Sequence, residues 1–362
     1  MEGRDDQSKN CSVSISTAAD SDSARSITRR AFARVGLLGN PSDGYNGKTL
    51  SFSLADFFAE AERSKKQRLE RADGGVCLLV SLCACVHDYC QLHGVDLPQH
   101  AAFTLSYSTN IPRQVGLSGS SAIIAAALSC LLHHYHLHHA IPIPVRPNLI
   151  LEAESRLGIA AGLQDRVIQT YGGLVFMDFN RPHLEAHGYG MYQPMDPALL
   201  PPLQVIFAAN PSDSGHVHSS VRARWQAGDV AVRQAMADVA ALAEEGRDAL
   251  VARDWGKLAR LMDRNFDLRR QMFGDEVLGV VIMSMVQAAR AMFGDEVLGE
   301  VNLSMVQAAR AVGAAAKFTG SGGAVVAFCP EGEQQRARLV EACREKGFCV
   351  VNAQVAAAVE LD

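Results

Sequence analysis

Apolar residues crowd at Ala33–Leu38 and stop at Gly39-Asn40-Pro41-Ser42-Asp43-Gly44, a pattern that predicts a strand running into a loop of turn-forming residues. The apolar run Gly74–Leu92 predicts a buried helix, Ala102–Ser108 a strand, Ser120–His139 a helix and Gly173–Phe179 another strand. Pro194–Pro202 concentrates prolines among few charges, which breaks helices and central strands, so a domain junction is expected there. Beyond it the pattern predicts a strand at Leu203–Ala209 and long helices between Ser219 and Gln271. A strand, a helix and a strand then follow at Ala324–Phe328, Glu333–Lys346 and Phe348–Val355. This alternation is α+β, organised as a tail over 1–30, an N-terminal domain over 31–200 and a C-terminal domain over 201–362.

One stretch repeats. Met-Phe-Gly-Asp-Glu-Val-Leu-Gly begins at Met272 and again at Met292, each time followed by Ser-Met-Val-Gln-Ala-Ala-Arg, a tandem duplication over 272–311. Two copies of a unit of about 20 residues are too few for a solenoid. The extra unit must bulge out or displace a helix of the second domain.

Composition narrows the partners. The chain has 362 residues, 48% hydrophobic and 20% charged, with a formal net charge of -5, so neither nucleic acid nor an anionic membrane has an electrostatic reason to bind. A small-molecule ligand is expected. The longest apolar runs, around Val76–Val86 and Ala122–Leu132, reach about 11 residues, short of the roughly 20 that span a bilayer. Nine cysteines without paired CxxC spacing suit a reducing cytosol. Residues 1–30 are rich in Ser and Asp and poor in large apolar groups, so a disordered tail is expected. Glu2, Asp5, Asp6, Asp20 and Asp22 oppose an organelle transit peptide, which leaves a cytoplasmic location.

The strongest chemical signal is the segment Pro112–Ala122, in which Gly116, Leu117, Ser118, Gly119, Ser120, Ser121 and Ala122 form a Gly/Ser loop opening into an apolar helix. Glycines admit close approach of a ligand, and a helix start offers unpaired N–H groups and a positive dipole end, which suits a phosphate. The competing reading is a serine-rich cap on a core helix. A second loop, Thr319, Gly320, Ser321, Gly322 and Gly323, again places glycines between a helix and a strand, and by itself fits a plain turn as well. Glu154 and Asp165 are spaced so that both carboxylates can meet one cation, or else form solvated pairs with Arg156 and Arg166. The run His133–His139 is read as a helix end rather than a metal site, and Trp225 and Trp255 as packing residues.

Together these segments resemble the GHMP kinases from about Ala33 onward: Pro112–Ala122 is similar to their phosphate-binding motif 2, Lys317–Ala324 to motif 3, and the stretch 34–47 to the N-terminal substrate motif. The resemblance implies a two-domain α+β fold with a ferredoxin-like C-terminal domain and an active site in the cleft between domains. It further implies ATP and Mg²⁺, with Ser121 and Glu154 as metal ligands, Asp165 as the catalytic carboxylate and Asp43 on sugar hydroxyls. Within the superfamily, Gly39–Asp43, Ala161–Arg166, Asn210–Gly215 and Ala314–Gly323 resemble plant-type glucuronokinases, which implies phosphorylation of the C1 hydroxyl of D-glucuronate, with Ser214 among the substrate residues. The product would then serve nucleotide-sugar synthesis. Gly44, Lys48 and the duplication depart from that pattern. A uronate carboxylate calls for a cation, for which Arg166, Arg34, Lys48 and Arg113 are candidates, Arg166 first because it flanks Asp165. A kinase for galacturonate or a neutral sugar, and an inactive nucleotide- or sugar-binding regulator, remain alternatives.

Overall fold

The computed structural model describes residues 11–15, 26–64, 74–98, 103–159, 161–208, 218–273, 298–320 and 322–359. Ser214, Ser321 and most of the first repeat copy lie outside the described residues.

The first sheet is six-stranded and antiparallel: β1 (Cys11–Ile15), β2 (Ile27–Leu38), β3 (Lys48–Ser64), β4 (Phe103–Thr109), β5 (Leu174–Asp178) and β6 (Met191–Met195), with β3 pairing β2, β4 and β5. Two of these strands correct the expected tail. Regular structure begins before Ala33, at Ile27, and Cys11–Ile15 already pairs with β4. The central strand β3 is absent from the expected elements. Its Leu50, Phe52 and Leu54 alternate with Ser51 and Ser53, yet all five are buried, because helices pack on both sides of this end of the strand. Pro194 sits in β6 at the sheet edge, where a missing N–H leaves no ladder bond unmade.

Helices α1 (Gly74–Leu92), α2 (Gly119–His134), α3 (Arg146–Ser155), α4 (Gln164–Tyr171) and α5 (Arg181–His187) belong to the same half. By length and composition alone, α1 could cross a bilayer, with mean hydropathy 1.5 over Gly75–Leu92. It buries Leu78, Leu79, Leu82, Cys85, Val86 and Cys90 and packs on α2 and α3. Helix α2 stops at His134 rather than His139, because Tyr135 closes the last turn and His136 adopts a left-handed φ of 54°.

The second sheet runs β10 (Phe348–Asn352), β7 (Leu203–Ala208), β9 (Ala324–Phe328), β8 (Ala315–Phe318), all antiparallel. In chain order it is β7, the helices α6 (His218–Gln226), α7 (Val230–Ala252), α8 (Trp255–Phe273) and α9 (Leu298–Ala311), then β8, β9, α10 (Glu333–Glu345) and β10. That is the ferredoxin-like βαββαβ order with extra helices in its first crossover. The two sheets are built from residues on either side of the proline-rich junction, and the halves are closely joined. On one side of β8, Phe318 meets Phe266 of α8 at 5.4 Å. Lys317, next along the strand, donates to Gly36 O at 2.7 Å and to Asn40 Oδ1 at 2.6 Å in the first half. Asn265 of α8 accepts from Gly39 N–H and donates to Asn40 O. The chain end returns too, with Val355 bridging Leu54 and Ala358 bridging Gly172.

Candidate active site

Strand β2 delivers Arg34, and the first turn of α4 delivers Asp165. The Arg34 guanidinium grips the Asp165 carboxylate with two bonds, Nε to Oδ1 at 2.5 Å and Nη2 to Oδ2 at 2.9 Å. Its remaining nitrogen, Nη1, donates to Gly116 O at 2.7 Å and Thr319 O at 3.2 Å. One arginine therefore ties the acid to both glycine loops. The planar five-donor fork of arginine makes such a junction geometrically possible, where a lysine could offer only a point charge.

The loops also touch each other. Gly116 has φ +69°, and a Cβ there would lie 1.8 Å from Gly322 O, so no side chain fits where the first loop meets the second. Thr319 is fully buried and donates its hydroxyl to Gly116 O at 3.2 Å. Leu117 and Ala122 are buried in the core, so only their backbone atoms can serve a ligand.

The competing reading of the first loop as a serine cap meets a specific observation. Ser118 occupies the N-cap of α2 with φ 61°, but no side chain caps the helix. The Ser118 hydroxyl donates to Asp165 Oδ2 instead, and Gln169 holds Ser118 O at 2.8 Å. The diverted hydroxyl leaves the helix start without a side-chain acceptor, the condition that favours an anion there.

Glu154, at the end of α3, is fully buried. Its Oε1 accepts from Ser120 Oγ at 2.7 Å, and its Oε2 accepts from both Nε and Nη2 of Arg166. Ser121, the expected partner of Glu154, is buried and donates back to Ser118 O at 3.3 Å. Carboxylate and hydroxyl oxygens are the hard donors that Mg²⁺ takes alongside substrate phosphates, so the chemistry of Glu154 with Ser120 and Ser121 fits that ion. Among the described residues no cluster of three or more His, Cys, Asp or Glu side chains is suited to hold a metal. Such a cluster is unnecessary for an ion held mainly through phosphates.

Arg166 is paired inside the protein. The residue is 3% exposed, is doubly bonded to Glu154, donates to Gly162 O at 3.0 Å and lies 3.6 Å from Asp165 Oδ2. In this arrangement the Arg166 fork is occupied by Glu154, the carboxylate that would also meet Mg²⁺. Arg34 and Lys48 are similarly engaged, Lys48 with Glu244 Oε1 at 2.5 Å and Asp178 at 3.6 Å.

Electrostatics separate the two aspartates. Burial acts to raise Asp165, but the charge and hydrogen bonds of Arg34, then Arg166 and Ser118, outweigh it and hold the pKa at about 2. Burial dominates at Asp43 and lifts it to about 6, against the amide of Gln164. That amide donates to Asp43 Oδ2 at 3.1 Å, and Gly162 packs so tightly beneath the carboxylate that a Cβ would come within 1.9 Å of it. Close by, Tyr45 meets Trp225 edge-on at 5.5 Å, which ties α6 to the segment that carries Asp43.

Sequence reasoning placed Asp43, Glu154, Asp165 and the two loops, and these come together. It did not foresee Arg34 as the partner of Asp165, Ser118 as its second donor, or the support from Asn265 and Lys317. The spacing of residues 34, 118 and 165 carries no local signal; only the loop chemistry of Ser118 could have been suspected.

A GHMP kinases N terminal domain model matches residues 80–173. Glucuronokinase 1 of Arabidopsis thaliana is 47% identical over 94% of this chain and 95% of its own, and Probable glucuronokinase 2 of the same plant is 52% identical over 89% of each. Among solved structures, the fold is similar to Lactococcus lactis galactokinase complexed with galactose, with TM-score 0.68 and 14% identity over 94% of this chain and 96% of that one. It is also similar to L. major mevalonate kinase, with TM-score 0.61 and 17% identity over 96% and 100%. With its two-sheet α+β architecture and this extent of shared sequence, the chain belongs to the GHMP kinases, in the family of the plant glucuronokinases.

Proposed function

We propose that this chain transfers the γ-phosphoryl group of ATP to the C1 hydroxyl of D-glucuronate, giving glucuronate 1-phosphate and ADP. The observation that carries the reading is the Arg34 junction, which puts an ionised aspartate beside two glycine loops suited to phosphates. The α2 N-terminus and the loop around Gly320–Gly323 would cradle the nucleotide. Glu154 with Ser120 and Ser121 would hold Mg²⁺, which neutralises developing phosphate charge when bound. A carboxylate with a pKa of about 2 is a weak base. Asp165 therefore serves chiefly to accept the hydrogen bond of the attacking hydroxyl and fix its line of approach. Asp43 accepts from other sugar hydroxyls.

With Arg166 committed to Glu154, the uronate carboxylate needs another cation. Arg222 is exposed on α6 one turn before Trp225, hence on the helix face that meets Tyr45, and it forms no ion pair among the described residues. Burial raises the Tyr45 hydroxyl above its ordinary value while Arg222 pulls it back, consistent with that placement. Arg222→Gln should raise KM for glucuronate by about tenfold, the value of a charge-assisted hydrogen bond, while leaving KM for ATP within about twofold. Unchanged discrimination between glucuronate and glucose would remove Arg222 from this role.

The described cysteines are free thiols, which suits a cytosolic enzyme supplying sugar 1-phosphate for nucleotide-sugar synthesis. The reading as a whole is tested by following ADP release with a panel of uronates and neutral sugars and locating the phosphate. Glucuronate 1-phosphate is expected. Preference for galacturonate or a neutral sugar would reassign the substrate, and nucleotide binding without turnover would make the chain a regulator.

A further inference from the structure

The tandem copies differ at three positions only: Val280 against Glu300, Ile282 against Asn302 and Met283 against Leu303. One of these differences reaches the second glycine loop. Asn302 lies on α9, which is made from the second copy, and its Oδ1 accepts from Gly323 N–H at 3.1 Å. Gly323 has φ +85° and packs against the first loop, where a Cβ would come within 2.7 Å of the Val115 carbonyl carbon and 2.9 Å of Gln114 O. Its neighbour Gly322 presents the carbonyl oxygen that lies against Gly116. The Gly323 amide therefore sits at the seam between the loops, and Asn302 supplies its acceptor.

Each copy contributes a different part. Met272 and Phe273, the start of the first copy, finish α8 and are buried. From the second copy, Met305, Val306, Ala308 and Ala309 are buried, and Arg310 binds Asp263 at 3.1 Å and Asp267 at 2.9 Å on α8. Packing alone does not select a copy, since Met, Val, Ala, Ala and Arg recur at the matching positions of the first. The hydrogen bond is what the two copies do not share. Isoleucine at 282 offers no acceptor, so a first-copy helix docked in the same place would leave the Gly323 amide without its partner.

We infer that Asn302 is a positioning residue for the nucleotide phosphates, acting through Gly323, and that only the second copy, seated at α9, supplies this contact. The inference rests on the kinase reading above. It is tested on the full chain with Asn302→Ile, Asn302→Ala, Ile282→Asn and the exchanged pair Asn302→Ile with Ile282→Asn. KM for each substrate, kcat and Tm are measured for every variant. Asn302→Ile and Asn302→Ala should raise KM for ATP about tenfold, as expected for a stranded amide, with KM for glucuronate within about twofold. Ile282→Asn should behave as the wild type, and the exchanged pair should stay impaired. An unchanged KM for ATP in Asn302→Ala, a rise in both KM values together, or full recovery in the exchanged pair would each overturn the inference. A wild-type chain that binds ATP but turns over no sugar would instead sink the kinase reading, and nucleotide affinity by calorimetry would then still report on Asn302.

Discussion

Asp165→Asn is expected to lower turnover with glucuronate by at least about a hundredfold, the lower range for a positioned acid or base group, while ATP still binds. Asparagine keeps the shape but removes the charge that the Arg34 fork is aligned to, and it turns one acceptor into a donor facing Ser118 and Arg34. The attacking hydroxyl then loses an anionic acceptor. The loops keep their other ties, because Arg34 Nη1 still reaches Gly116 O and Thr319 O. Nucleotide affinity should accordingly stay within a few fold, read as an ATP-dependent rise in Tm. Turnover near the wild-type rate would remove Asp165 from the mechanism. Because the pKa of Asp165 lies at about 2, below its ordinary value, the stability it contributes is fully present above about pH 4 and fades only as pH falls through 2. Its titration therefore cannot account for an activity change near neutral pH.

Arg166→Ala is expected to fail as a specificity change and to act as a stability lesion. It strands the fully buried Glu154 carboxylate, with Ser120 as its remaining bonded partner. Breaking a buried pair from one side costs about 3–5 kcal/mol, a large share of the 5–15 kcal/mol that holds a typical protein folded. At roughly 2–4 °C per kcal/mol, Tm should fall on the order of 10 °C. Use of glucuronate and of any neutral sugar should decline together, since the same carboxylate stands where Mg²⁺ is proposed to bind. A selective loss of glucuronate with Tm unchanged would restore Arg166 to the sugar pocket and displace Arg222.

The two glycine loops were legible because their chemistry is local: a run such as Gly116–Ser121 declares a close backbone approach whatever surrounds it. Helix α1 and the strands β5 and β9 were legible for a similar reason, as apolar runs, and β4 by its alternation of Phe, Leu and Tyr with Thr and Ser. The strand β3 was not. Its alternating serines imitate a half-solvated strand or loop, but Ser51 is covered by Gln164 of α4, while α7 from the other half of the chain lies against Leu50 on the opposite face. The arginines show the same limit most clearly. Arg166 adjoins Asp165 in sequence and Arg34 does not, yet it is Arg34 that grips Asp165, while Arg166 neutralises the buried Glu154.

The sequence by itself determined that this is an α+β chain with paired glycine loops, because those features follow from short-range periodicity and backbone freedom. Tertiary structure alone decided which cation meets which acid and which repeat copy supplies α9 to the second loop. Such pairings are settled by the direction and burial of side chains as distant in the chain as Arg34 and Asp165, and a charge leaves no trace in sequence of the partner it will find.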